Sequence, residues 1–422
     1  MKSHCKMEAA VGVSFRFSED ALGHFFVVHE ALLRNFRSLE IPSYYIVSED
    51  AKFSKLESQL LRAPATLKNS PYSWSFADIQ KFKKIICNLP NSSFIHIYEG
   101  SLSVLALVLY SIIESKRNDL VLLNNFHYPQ EFTKFSSQGF LRRMNRAFSK
   151  YALRSLSNSR SIYCAESENL RKELELLFEI DVHSYPIFSI HSRSSIRTIR
   201  NEDIFVVAHS LFEQELLSEV LSQIDLSWRG AIRIFVRNPT TELKLICQKN
   251  NFQLISEDMT IAEYRTVMET CKCLILLYSG DFYLRSGSSG RVLDSVIFRT
   301  PLALPKHSHL KDVYERYLDF SVIEFELTSS SILKTLDFVL RSKIEPIRDV
   351  TSHIELPDSQ WAVNSLYQLQ KEARHDSISK FRQIQLSTLV HLFLVARILS
   401  SYLDIIRDRY RKIWNLKWLS RN

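Results

Sequence analysis

Residues Cys273–Pro305, CLILLYSGDFYLRSGSSGRVLDSVIFRTPLALP, decide the fold. They read as an apolar strand (Cys273–Tyr278), a polar Gly/Ser loop around Arg285, a helix (Gly290–Phe298) and a short Pro-bracketed strand (Leu302–Leu304). Two short apolar runs joined by a helix make a parallel strand pair with a crossover. A small-residue loop that opens onto a helix start offers backbone N–H groups and the positive end of a dipole, which is where a phosphate is held. Arg285 adds an always-ionised planar fork suited to a diphosphate. The N–H groups near Ser288, Ser289 and Gly290 complete that grip. Tyr278, Phe282 and Tyr283 can wall a base or a sugar. Asp294, one turn into the helix, can accept from ribose hydroxyls. The plain alternative is an ordinary polar loop with a surface arginine.

The same alternation runs outward in both directions. Towards the C-terminus follow a helix at Leu310–Tyr317, a strand at Val322–Phe325 and a helix at Ser331–Arg341. Towards the N-terminus stand strands at Ile204–Ala208, Ala231–Val236 and Gln253–Ile255, with helices at Glu213–Ser222, Thr240–Asn250 and Thr260–Thr270 between them. An earlier set has strands at Val11–Phe15, Ser43–Val47, Phe94–Tyr98, Leu120–Leu123 and Ser161–Ala165, and helices at Phe25–Leu39, Leu102–Glu114, Arg142–Leu156 and Glu166–Phe178. Strands alternating with helices predict an α/β fold with parallel sheets covered on both faces. Ser189–Arg200, rich in Ser, Arg and His and without apolar period, reads as the linker between two doubly wound units. The predicted organisation is a first domain at 1–190, a second at 200–355, and a helical extension at 356–422 with a Trp361-bearing helix. In open sheets of this kind ligands lie beyond the carboxyl ends of the strands, and two facing units make a cleft.

Composition agrees with two folded domains: 422 residues, 45% apolar and 12% aromatic, with only eight glycines. The net charge of +8 and pI near 9.0 favour anionic partners. Much of that charge lies at the end of the chain, where Arg407, Arg409, Arg411, Lys412, Lys417 and Arg421 face Asp408. No nucleic-acid-binding motif accompanies it. The six cysteines have no zinc spacing and predict buried reduced thiols in a cytosolic protein. Met1–Phe15 has no long apolar core of a secretory signal. Leu102–Ile113 is too short to span a bilayer. Leu386–Leu403 is longer but carries His391 and Arg397, which suits a surface-lying helix.

The run Thr260–Pro305, TIAEYRTVMETCKCLILLYSGDFYLRSGSSGRVLDSVIFRTPLALP, resembles the donor-binding half of the GT-B nucleotide-sugar glycosyltransferases, in particular the family 4-like group. Tyr278, Arg285, Ser289, Gly290, Asp294 and Pro301 stand where that group has its Tyr, Arg, Ser-Gly turn, acidic helix residue and strand-opening proline. The Gly23 loop after the first strand, the Ala165–Leu174 helix start and the Trp-bearing helix after the second domain follow the family order. The resemblance covers roughly residues 10–370 and implies two Rossmann-like domains facing a cleft. Many retaining members carry two glutamates eight positions apart around this loop. Here Ser286 and Asp294 stand there, and the stereochemical outcome stays open.

The resemblance implies a sugar transfer from a nucleotide-diphosphate sugar to an acceptor hydroxyl, in glycan or glycolipid synthesis. Arg285 would stabilise the departing diphosphate. His209, Ser210 and Arg237, at strand ends of the second domain, would face the donor's phosphates. In the first domain Gly23 and His24 would lie on the acceptor side, and Glu99 or His127 would take the acceptor's proton. No Asp-x-Asp motif stands in a suitable loop, so no metal and no cofactor is expected. The expected location is cytoplasmic, with the basic C-terminal helix meeting either the membrane's inner face or a partner subunit. Two other readings stand beside this one: another nucleotide-sugar enzyme such as an epimerase, and a non-catalytic binding subunit on the same scaffold.

Overall fold

The computed structural model describes residues 7–15, 31–32, 34–52, 59–69, 71–97, 101–126, 140–157, 161–185, 188, 203–236, 238–255, 260–280, 284, 287, 289–343, 347–349, 357–372 and 380–419. The chain divides into two units, Met1–Tyr185 with Gln360–Asn422, and Pro186–Ser359.

In the first unit the strands are β1 (Ala10–Val13), β2 (Ser43–Ser48), β3 (Leu60–Ala63), β4 (Phe94–Ile97), β5 (Val121–Phe126), β6 (Ser161–Ala165) and β7 (His183–Ser184). They form one parallel sheet in the order β3-β2-β1-β4-β5-β6-β7. β4, β5 and β6 are buried along their whole length, as strands of a doubly covered sheet should be, and carry His96, Asn124 and Asn125 inside with them. Leu102–Glu114 is the buried helix expected from its apolar run. It packs with Phe76–Cys87 and with Leu389, Val390 and Phe393 of the long helix Lys380–Leu419. Trp361, in the helix Ser359–Glu372, stacks on Tyr185 with ring centres 5.8 Å apart.

Arg117 secures the turn before β5. Its guanidinium donates to the carbonyls of Cys87, Leu89 and Pro90 at 2.8 Å each and pairs with Asp119 at 2.8 Å. The Asp119 carboxyl, held by that guanidinium, is lowered to about 2.

The second unit has β8 (Ile204–Ala208), β9 (Ile232–Val236), β10 (Gln253–Ile255), β11 (Cys273–Leu276), β12 (Leu302–Pro305), β13 (Leu318–Asp319), β14 (Ile323–Phe325) and β15 (Arg348–Asp349). Six of them make a parallel sheet in the order β10-β9-β8-β11-β12-β14, and β13 pairs antiparallel with β15. The chain winds outward from β8 to β10 and then crosses back to β11. The β8/β11 boundary is therefore the switch point, where a crevice opens beyond the strand ends.

Three helix starts lie two residues from the sequence expectation, each fixed by a hydroxyl cap. Ser210 caps Leu211–Gln223, where the start was expected at Glu213, and Thr328 caps Ser329–Arg341. The helix expected from Glu166 begins at Glu168 with Ser167 as its cap, which leaves Glu166 buried at the end of β6. The strand expected to reach Tyr278 ends at Leu276. Cys164, Cys247, Cys271 and Cys273 are buried as expected. Cys87, in the last turn of Phe76–Cys87, is exposed instead.

Candidate functional site

At the switch point of the second unit one carboxylate joins the ends of both central strands. Glu213 is the third residue of the helix Leu211–Gln223 and completes a capping box with Ser210. Its Oε2 accepts from the backbone N–H of His209 at 2.6 Å and of Ser210 at 3.1 Å, just past β8. Its Oε1 accepts from the Ser279 N–H at 2.7 Å and the Ser279 hydroxyl at 2.8 Å, just past β11. The Ser210 and Ser279 hydroxyls lie 3.1 Å apart. Glu213 is buried, so its charge is carried by these four donors and by the helix start beneath it.

The neighbouring residues assemble an aromatic and cationic cluster on the same edge. The His209 ring stacks on Tyr278, centres 5.9 Å apart and planes 18° apart, and meets Phe235 of β9 edge-on. The Arg291 guanidinium lies over the Phe235 ring at 4.3 Å, with Nη1 3.1 Å from His209 Nε2. A guanidinium only donates, so in this hydrogen bond Nε2 is the accepting nitrogen. Tyr278 Oη and Ser289 Oγ are 3.1 Å apart, and Ser289 caps the helix Gly290–Ile297 by accepting from Val292 N–H. Burial pushes the Tyr278 hydroxyl up, against the pull of Arg291.

Arg291 is the second residue of that helix. A cation at the positive end of a helix dipole is unfavourable by about 0.3–1 kcal/mol, and the Phe235 face returns about 0.5–1 kcal/mol. An anion seated there would meet both the dipole and the guanidinium with the favourable sign. The cluster can thus hold a negatively charged group beyond β8 and β11, with flat ring faces beside it.

Of the residues singled out in the sequence, His209, Ser210, Tyr278, Ser289 and Gly290 come together on this edge. Asp294 lies one turn deeper, 8% exposed, with its Oδ2 accepting from the Tyr264 hydroxyl at 3.0 Å. Burial, then the Asp294 charge, raises the Tyr264 hydroxyl well above its ordinary value. Arg285, Tyr283, Ser288 and Arg237, and in the first unit Gly23, His24, Glu99 and His127, lie outside the described residues. Among the described residues no group of three or more His, Cys, Asp or Glu is placed to hold a metal ion.

Glu213, Phe235, Ser279 and Arg291 were missed in the sequence. Arg291 stood inside the decisive stretch, directly after Ser289–Gly290, and a cation in a first helical turn is itself a signal. Ser210 and Glu213 spell a capping box directly after an apolar strand. At the corresponding edge of the first sheet, Asn125 of β5 donates to Glu166 at 3.2 Å, and both residues are buried.

No family model matches the chain, and no curated protein sequence matches it either. Solved structures do. HepE of Anabaena, crystallised with UDP and glucose, is 10% identical, with a TM-score of 0.54 over 92% of this chain and 100% of that one. WaaG, a glycosyltransferase involved in lipopolysaccharide biosynthesis, is 10% identical, with a TM-score of 0.52 over 92% and 99%. A putative UDP-N-acetylglucosamine 2-epimerase from Listeria monocytogenes is 8% identical, with a TM-score of 0.51 over 89% and 100%. These likenesses define the class of fold: two Rossmann-like parallel α/β units of the GT-B type, with a C-terminal helical extension.

Proposed function

We propose that this protein is a glycosyltransferase that moves a sugar from a nucleotide-diphosphate sugar to an acceptor hydroxyl. The observation that carries the reading is Arg291, held over Phe235 and against His209 at the Gly290 helix start, beyond the switch-point strands. When the bond between sugar and diphosphate breaks, negative charge grows on the departing diphosphate. A fixed guanidinium beside a helix start stabilises that charge without reorganising, and does so most strongly where water is excluded. In this reading Arg285 serves the same diphosphate, and the cationic pocket offsets the charge without a metal. The first unit supplies the acceptor side, with Glu99 or His127 receiving the acceptor proton. HepE, similar in fold, was crystallised with UDP and glucose, which makes UDP the first nucleotide to test. The acceptor in this reading is a glycan or a lipid-linked glycan, reached from the cytoplasm.

Isothermal titration of the full chain with UDP, GDP and ADP tests the site. Binding of one of them, weakened at least tenfold in Arg291→Ala, supports the reading. Absence of binding by any nucleoside diphosphate overturns it and leaves a non-catalytic role for the scaffold.

The fold likeness to a putative UDP-N-acetylglucosamine 2-epimerase favours a second reading, in which the nucleotide sugar is altered rather than spent. Product analysis separates the two. Transfer releases the nucleoside diphosphate and yields a glycoside, whereas epimerisation returns an isomeric nucleotide sugar.

A further inference from the structure

The helix Lys380–Leu419 has two apolar faces, and among the described residues one is buried and the other exposed. Leu389, Val390, Phe393 and Leu394 are buried in the core of the first unit, and Arg397 reaches the Ser103 hydroxyl there at 3.4 Å. Leu392, Val395, Leu399, Tyr402, Leu403 and Ile406 are 36–57% exposed. At about 100° of turn per residue these six fall within an arc of roughly 100°, on the side of the helix opposite the buried residues. Exposed apolar side chains scattered singly are ordinary, but a continuous stripe on one helix face marks an interaction surface.

The sequence says what covers it. Directly after the stripe come six cations, Arg407, Arg409, Arg411, Lys412, Lys417 and Arg421, against one anion, Asp408, together with Trp414 and Trp418. An apolar stripe leading into a cationic segment with tryptophans is the composition of a helix that lies in the interface of an anionic bilayer.

We infer that Lys380–Leu419 docks the protein on an anionic phospholipid surface, with the Leu392–Ile406 stripe in the acyl boundary and the following arginines and lysines at the headgroups. The helix lies on the membrane and does not cross it. The segment Gln383–Leu403 is long and apolar enough to span a bilayer, but crossing would take Leu389, Val390, Phe393 and Leu394 out of the core and put Arg397 in hydrocarbon. This inference is independent of the sugar-transfer reading, since it rests on a different element and is read by binding rather than turnover.

Co-sedimentation of the full chain with vesicles tests it. With phosphatidylcholine vesicles carrying about a third phosphatidylglycerol, most of the protein should pellet. At least fivefold less should pellet with phosphatidylcholine alone or in 0.5 M salt, because the charge contribution is screened. Leu399→Asp/Leu403→Asp removes stripe residues, and Arg409→Ala/Arg411→Ala/Lys412→Ala removes charge. Each should cut binding at least fivefold while circular dichroism and elution volume stay those of the wild type. Equal pelleting with and without anionic lipid overturns the inference. So does a stable dimer that Leu399→Asp/Leu403→Asp splits while the wild type ignores vesicles, which would assign the stripe to a second copy of the chain.

Discussion

Glu213 accepts the Ser279 backbone N–H at 2.7 Å across 66 residues of sequence, and so holds the ends of β8 and β11 together at the place where the second sheet opens. Both carboxylate oxygens are used, each by two donors. Glu213→Gln keeps the shape but replaces one acceptor with an NH₂ group that faces N–H donors. With the NH₂ on the Ser279 side the Ser279 hydroxyl can turn to accept from it, so one part-buried backbone N–H, that of Ser279, would lack its partner, at about 1–3 kcal/mol without relaxation. We expect a loss of about 1–2 kcal/mol in urea denaturation followed at the second unit. A change below about 0.5 kcal/mol would show that the junction does not depend on this carboxylate.

Arg291 separates binding from stability. Its removal takes away the Phe235 contact but relieves a cation at a helix start, two contributions of similar size and opposite sign. Arg291→Ala should therefore leave the ligand-free protein within about 1 kcal/mol of wild type, while nucleoside diphosphate affinity falls at least tenfold. Arg291→Lys retains the charge but not the flat fork over Phe235, and should recover only part of the affinity. Full affinity in Arg291→Ala would place the diphosphate elsewhere.

The fold was legible where burial is complete. Ile204–Ala208 and Cys273–Leu276 are unbroken apolar runs because both faces of the sheet are covered, and such runs need no context to read. The region between Val47 and Phe94 carries weaker sequence signals. β3 is a short edge strand, Leu60–Ala63, half exposed and carrying an arginine, so it lacks both length and alternation. The helix Phe76–Cys87 did have a signal: Ser75 caps it through Asp78 N–H, and Ile79, Phe82 and Ile86 recur at helical spacing among lysines. The site divides in the same way. Ser289 and Gly290 are local features of a helix start and could be found from neighbours in sequence. The pairing of Arg291 with His209 spans 82 residues, and only the parallel register of β8 against β11 brings the two together.

Tyr264 and Asp294 give a test of what Asp294 does. The tyrosine hydroxyl donates to a carboxylate that is 8% exposed, within the second unit. If that bond is structural, Tyr264→Phe removes one donor from a buried charge and should cost about 1–3 kcal/mol in thermal or chemical denaturation. Nucleoside diphosphate affinity at saturating protein stability should then change less than threefold. A protein of wild-type stability with a tenfold loss of nucleotide affinity would move Asp294 from the frame of the site to its contact surface, on the ribose.

The first unit should show its own acid response, set by His96. This residue lies on β4, buried, between the Phe94 ring and the edge of Tyr185. Burial lowers its pKa from 6.5 to about 3, so the folded protein keeps the imidazole neutral while the unfolded chain protonates it. The unfolded state therefore binds more protons below pH 6.5, and stability falls as pH falls from there towards 3. The slope for one such group is at most about 1.4 kcal/mol per pH unit. Between pH 6.5 and 5, above the range in which ordinary carboxylates titrate, we expect unfolding free energy from urea titrations to drop along that slope. In His96→Phe the drop should flatten, whatever the absolute stability of the variant. An equal slope in both proteins would mean that the His96 ring is charged, or reaches water, in the folded state.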